Sequence, residues 1–137
     1  MVKTPQFVDD QMRTIIVGVA DFKFTTDPTM CLATYALGSC LGITFHDETR
    51  RIGGLLHAML PTAQLHKEQK IKDAMFLDTG IPKALKAMVR AGAKKQDIRC
   101  KVFGGAQLMS NDNFFRVGSK NIDMFYKISQ DLELDVV

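Results

Sequence analysis

Apolar and polar positions alternate in short runs up to Pro61 and recur at helical spacing over much of the chain beyond it. TIIVGVADF, residues 14–22, predicts a first strand, and KFTTDPTM then turns the chain with Asp27-Pro28 as the breaker. CLATYAL, residues 31–37, reads as the next strand, with Cys31, Ala33, Tyr35 and Leu37 on one face and Leu32, Thr34 and Ala36 on the other. LGITFHD and IGGLLHAML flank the polar DETRR, which predicts an antiparallel hairpin over residues 41–60. A helix is expected from Thr79 to Ala91, preceded by a turn at 70–77. Its inner line is Ile81, Leu85, Met88 and Gly92, and Lys83, Lys86 and Arg90 share the outer side. Asp78 or Thr79 is the expected cap, Pro82 belongs in a first turn, and Gly92 closes the helix. IRCKVFGGAQL follows as a strand with Cys100 buried and a bend at Gly104-Gly105. After the loop SNDNFFRVGSKN, a last helix is expected from Asn121 to Asp131, with Ile122, Phe125, Ser129 and Leu132 inward.

These elements predict an α+β fold: mixed, mostly antiparallel strands in a sheet or sandwich, flanked by two helices. Residues 1–13 read as a polar, mobile arm and 14–137 as a single domain, a size that buries a respectable core. No apolar run reaches ~18 residues, so no membrane insertion is expected. The N-terminal stretch lacks the apolar core of an export signal, and a cytoplasmic protein is expected. Three cysteines without CxxC pairing or a nearby histidine cluster fit a reducing compartment and offer no metal site. No phosphate-binding glycine loop is present, and no cofactor is expected. Residues 62–101 carry ten Lys or Arg against four Asp or Glu, yet the whole chain is only +3. No aromatic platform interleaves these lysines, so nucleic acid is not an expected partner; steering toward acidic proteins fits better.

Candidate chemistry concentrates between Thr34 and Pro61. Hairpin folding brings Cys40, in a Gly-Ser-Cys turn, toward His57 on the returning strand. An imidazole within hydrogen-bond reach of a thiol takes its proton and later protonates a leaving amine. From spacing alone, Cys40 reads more readily as a small buried residue at a strand start, and His57 as a satisfied core histidine. Gly38 and Ser39 form either an ordinary turn or a bend whose backbone N–H groups, with that of Cys40, face a developing oxyanion. Thr34 is either a β-branched strand residue or the group that fixes the His57 tautomer through its hydroxyl or carbonyl. His46 and His66 read as solvated, and Asp47 as a possible orienting carboxylate. A reactive Cys40 is expected to show a depressed pKa.

Five segments carry a resemblance: LGSC at 37–40, GGLLHAMLP at 53–61, DTGIPKAL at 78–85 with AGA at 91–93, KVFGGAQL at 101–108, and VGSKN at 117–121. In this order and spacing they resemble the chemoreceptor glutamine deamidase family of chemotaxis, CheD. The resemblance implies a cysteine-hydrolase-like fold and hydrolysis of selected receptor glutamines to glutamate, with Cys40, His57 and Thr34 as the catalytic set. It implies chemoreceptor cytoplasmic helices as substrate and a CheC-type phosphatase as partner, docked near Phe115 and Phe114. The alternative is a non-catalytic adaptor that binds CheC or receptors. Against the family pattern the chain stops at LELDVV, short of an acidic, glycine-rich segment, which predicts an uncovered sheet edge.

Overall fold

The computed structural model describes residues 13–64, 72–107 and 116–137. Among the described residues, seven strands and two α-helices run in the order β1 (Arg13–Ile16), β2 (Asp21–Thr25), β3 (Met30–Ala33), β4 (Leu41–Asp47), β5 (Ile52–Ala58), α1 (Leu77–Arg90), β6 (Ile98–Gly104), α2 (Val117–Asp131) and β7 (Asp135–Val136). The main sheet has the order β2-β5-β4-β6-β7. It is antiparallel except for the short parallel pairing of β7 on β6. A separate parallel pair, β1 with β3, completes the α+β architecture.

The strand period builds the main core. Leu41, Ile43 and Phe45 of β4 alternate with Gly42, Thr44 and His46, so one face of that strand is apolar up to Asp47 at its end. Leu56 and Ala58 join this face, and the buried sides of α1 (Leu77, Ile81, Ala84, Leu85, Met88) and α2 (Phe125, Ile128) pack on it. On the opposite face, register aligns Asp21, His57, Gly42 and Phe103 in one row across four strands. β5 is buried on both faces from Leu55 to Ala58, which is why its sequence runs apolar without alternation. No helix among the described residues is long and apolar enough to cross a membrane.

Several boundaries differ from expectation. The run 14–22 is two strands, because Val17 pairs its N–H with Ala33 and Ala20 turns at φ 57° before β2 begins. The strand expected over 31–37 ends at Ala33, and Ala36 adopts φ 55°. α1 begins at Leu77, putting Pro82 in its second turn; Phe76 is the N-cap and gives no side-chain bond. Asp78 instead accepts from Thr62 Oγ1 at 2.7 Å and from the Ala63 N–H at 3.0 Å, and Thr79 donates to the Asp73 carbonyl. At the other end, Gly92 N–H reaches Val89 O and Ala93 N–H reaches Met88 O, the paired bonds of a Schellman stop. α2 starts at Val117, four residues early, so its buried line is Gly118, Asn121, Phe125, Ile128 and Ser129. Arg13, assigned to the arm, is in β1; the remainder of that arm, His66, Phe114 and Phe115 lie outside the described residues.

Candidate active site

His57 has no solvent exposure. Its Nδ1 lies 2.8 Å from Thr34 Oγ1, and that hydroxyl is also 2.7 Å from the Val17 carbonyl. A hydroxyl has one proton, and a carbonyl oxygen only accepts. Thr34 therefore donates to Val17 and accepts from His57 Nδ1–H. That fixes the tautomer: Nε2 is the bare nitrogen, and it is buried without a hydrogen-bond partner among the described residues. Thr34 reaches this position just after β3 ends, and Val17 stands just after β1. The parallel pair of strands thus delivers both groups to the His57 face of β5.

Register brings Cys40 into the same neighbourhood. Gly42 faces His57 and Leu41 faces Ala58. Cys40 stands one residue before β4; carried one step beyond the start of that strand, the same alternation puts it on the His57 face. Gly42 puts no side chain between them; a Cβ there would meet Leu37 Cδ1 and Cδ2, each at 3.2 Å.

The loop carrying Cys40 is held by its carbonyls. Leu37 O accepts from Cys40 N–H at 2.7 Å, Gly38 O from Ala106 N–H at 2.9 Å, and Cys40 O from Gly105 N–H at 2.9 Å. Ser39 O accepts from Asn121 Nδ2 at 2.9 Å. Ala36 and Gly38 both have left-handed backbone angles, φ 55° and 50°; for alanine this conformation costs about 1–2 kcal/mol. The end of β6 comes so close that a Cβ on Gly104 would stand 2.3 Å from Cys40 O. The expected use of the Cys40 N–H for an oxyanion meets a correction here: that N–H is engaged by Leu37 O. Gly38 and Ser39 lie in a turn.

Electrostatics favour uncharged forms. Burial pushes the Cys40 thiol above its ordinary value of 9.0, with its own backbone N–H a weaker opposing influence. Burial likewise pushes His57 below 6.5. The resting pair is therefore thiol and neutral imidazole, and the expected depressed cysteine pKa is corrected to a raised one. Cys100 is fully buried and driven up to about 12, by burial first and Asp135 second. Asp47, considered as an orienting group, is at the far end of the hairpin opposite Ile52. Its buried carboxylate accepts from the backbone N–H groups of Arg50 and Lys94 and from the Arg50 guanidinium. His46 is exposed, as expected.

Two groups at the site were not anticipated. The Val17 carbonyl is invisible to sequence reading because every residue offers one. Asn121 was placed at a helix start, yet it is fully buried one turn into α2. An asparagine one turn before Phe125 on an inward face was the available signal.

The family model described as CheD chemotactic sensory transduction matches residues 59–137. A probable chemoreceptor glutamine deamidase CheD 1 of Syntrophus aciditrophicus is 43% identical over 118 residues, covering 85% of this chain and 74% of that protein. The chemoreceptor glutamine deamidase CheD of Halalkalibacterium halodurans is 32% identical over 124 residues, 88% of this chain and 76% of its own. A probable counterpart in Pyrococcus horikoshii is 36% identical over 115 residues, 82% and 70% of the two chains. Matches of this length take in Thr34, Cys40 and His57 wherever they begin. With an α+β fold, a family match over more than half its length and relatives that it largely covers, this chain belongs to the CheD family.

Proposed function

We propose that this protein hydrolyses the side-chain amide of selected glutamines on chemoreceptors, giving glutamate and ammonia, with Cys40 as nucleophile and His57 as base. The relatives' names support the reaction. The observation that carries the residue assignment is the Thr34 hydroxyl, which accepts a hydrogen bond from His57 Nδ1–H and so makes Nε2 the basic nitrogen. In this reading His57 Nε2 removes the thiol proton as sulfur attacks the amide carbon. A separately ionised thiolate is not needed, which suits a pair whose surroundings oppose charge on both members. The imidazolium returns the proton to the departing nitrogen, the C–N bond breaks and ammonia leaves a thioester. Water then loses a proton to the same nitrogen and attacks the thioester, releasing glutamate and the restored thiol. With the Cys40 N–H engaged, the Gly38-Ser39 turn is the nearest remaining source of backbone donors for the oxyanion.

The working compartment in this reading is the cytoplasm, where chemoreceptor signalling helices are found. A CheC-type phosphatase is the proposed partner, supported by the sequence resemblance. The test is deamidation of a chemoreceptor cytoplasmic fragment, read by peptide mass spectrometry. Conversion of glutamine to glutamate by the native chain and its loss in Cys40→Ala are expected. Full activity in a folded Cys40→Ala protein overturns the assignment. Binding without conversion by the native chain favours an adaptor.

A further inference from the structure

Asn121 spans the two segments that hold the cysteine and the histidine. Its Nδ2 donates to Ser39 O at 2.9 Å and to Met59 O at 3.0 Å. Ser39 immediately precedes Cys40, and Met59 lies two residues beyond His57. Both partners are carbonyl oxygens, so the amide orientation is unambiguous: both NH2 protons are used. The other amide atom, Oδ1, is buried with no partner among the described residues. A fully buried side chain that leaves its oxygen unsatisfied is being held by what its nitrogen does.

Helix α2 is brought to this place by a close approach one turn earlier. A Cβ on Gly118 would lie 2.4 Å from Ala106 O and 2.7 Å from Gly105 O. Gly105 and Ala106 are the residues whose N–H groups bind Cys40 O and Gly38 O. Only glycine at 118 lets the helix seat against that strand end, and residue 121 follows on the same helix face. The cysteine loop is thus tied from two sides: by backbone N–H groups after β6, and by a side-chain amide from α2 that also holds the end of β5.

We infer that Asn121 is a positioning residue, a two-pronged clamp that sets the Cys40 loop against the His57 strand. The inference rests on the Cys40–His57 reading of the site. Sequence separations of 82 and 62 residues join in one amide group, so the cysteine–histidine geometry depends on the docking of α2. Both hydrogen bonds of the Asn121 amide go to main-chain carbonyls near the reacting residues, and it acts through them.

The test uses the full chain with Asn121→Ala, Asn121→Asp and Asn121→Ser, assayed on a chemoreceptor cytoplasmic fragment and by iodoacetamide labelling of Cys40 followed by mass spectrometry. Asn121→Ala is expected to lower kcat by about ten- to a hundredfold with little change in KM, the size of effect that small misplacements of reacting groups produce. Labelling should move the opposite way: a loosened loop hydrates the thiol, so the labelling profile shifts down toward pH 9.0 and Cys40 reacts faster, while Cys31 is unchanged. Asn121→Asp, which cannot donate to both carbonyls when ionised, should follow alanine; Asn121→Ser, with one donor, should fall between. A merely structural role lowers the melting temperature and leaves kcat and labelling of the folded protein alone, and that result overturns the inference. If the alanine protein does not fold, the serine variant decides by the same readouts. Failure of all three to fold overturns it as well, since Asn121 then belongs to the fold and not to the site. An inactive Cys40→Ala beside a native-like Asn121→Ala sinks only this inference; an active Cys40→Ala sinks the reading beneath it.

Discussion

Thr34 Oγ1 accepts from His57 Nδ1 at 2.8 Å while donating to Val17 O at 2.7 Å, so one hydroxyl decides which imidazole nitrogen is basic. Threonine has no charge with which to stabilise an imidazolium, so its effect is orientation and tautomer. Thr34→Val should lower deamidation about ten- to a hundredfold, part of the ~10²–10⁴ carried by a general base. Thr34→Ser, which keeps the hydroxyl, should remain near the native rate. Equal activity in the valine and native proteins would remove Thr34 from the site.

The shift on His57 predicts its pH behaviour. A base whose folded pKa is depressed stays neutral below 6.5, so the acid limb of the deamidation profile should lie under that value. The same shift links to stability. Above 6.5 folded and unfolded chains both hold His57 neutral, and the contribution is fully present. As pH falls from 6.5 toward the lower folded value, the unfolded chain gains the proton first and stability declines. Urea titrations of native and His57→Gln proteins across this range should differ in slope.

Cysteine labelling should rank the thiols by environment. Cys40 should alkylate with a midpoint above 9.0, and Cys100, held at about 12 in the core, should remain unlabelled until the protein unfolds. A Cys40 midpoint well below the ordinary thiol range would show a preformed ion pair and contradict the neutral resting state argued above.

Gly104→Ala should be among the more damaging small substitutions. The residue has φ 94°, and the new methyl would meet Cys40 O at 2.3 Å. Backbone conformations of this kind cost of order 1–3 kcal/mol for a non-glycine residue before the clash is counted. Denaturant midpoints should fall, and deamidation should fall further than stability alone accounts for, because the displaced atom belongs to Cys40.

Asp47→Ala should destabilise through a different route, by about 1.5–3 kcal/mol, the scale for hydrogen bonds to a charged group, because the Arg50 left behind keeps its pairing with Asp97. Removal from water opposes the Asp47 carboxylate, yet N–H groups of Lys94 and Arg50 and the Arg50 guanidinium hold its pKa below 3.8. Its stabilisation is present above 3.8 and is lost as pH falls through the lower folded value. Chemical denaturation from neutral to acid pH in native and Asp47→Asn proteins would reveal the missing dependence.

The hairpin was legible because its two halves are apolar runs separated by five polar residues, and β4 spans the expected 41–47. The inward line Ile81, Leu85 and Met88 was legible from helical spacing, and Cys100 from its place in an alternating strand. What escaped was set by tertiary bonds. TIIVGVADF has the composition of one strand, but it breaks after Ile16, where Val17 continues the pairing to Ala33 and Ala20 then turns the chain. The first turn of α2 escaped because Val117 and Gly118 are poor helix formers, and Gly118 is there for its fit against Ala106. At the site, cysteine and histidine stood out by residue type, whereas the Val17 carbonyl and Asn121 act through bonds between distant segments.

The neutral thiol at Cys40 carries a consequence for the protein's endurance. Peroxides attack thiolates, and a sulfur kept protonated by its surroundings is a poor substrate for sulfenic acid formation. In the proposed mechanism, a nucleophile deprotonated only as substrate arrives is sheltered from oxidants between turnovers, so its sulfur needs no second cysteine to repair it.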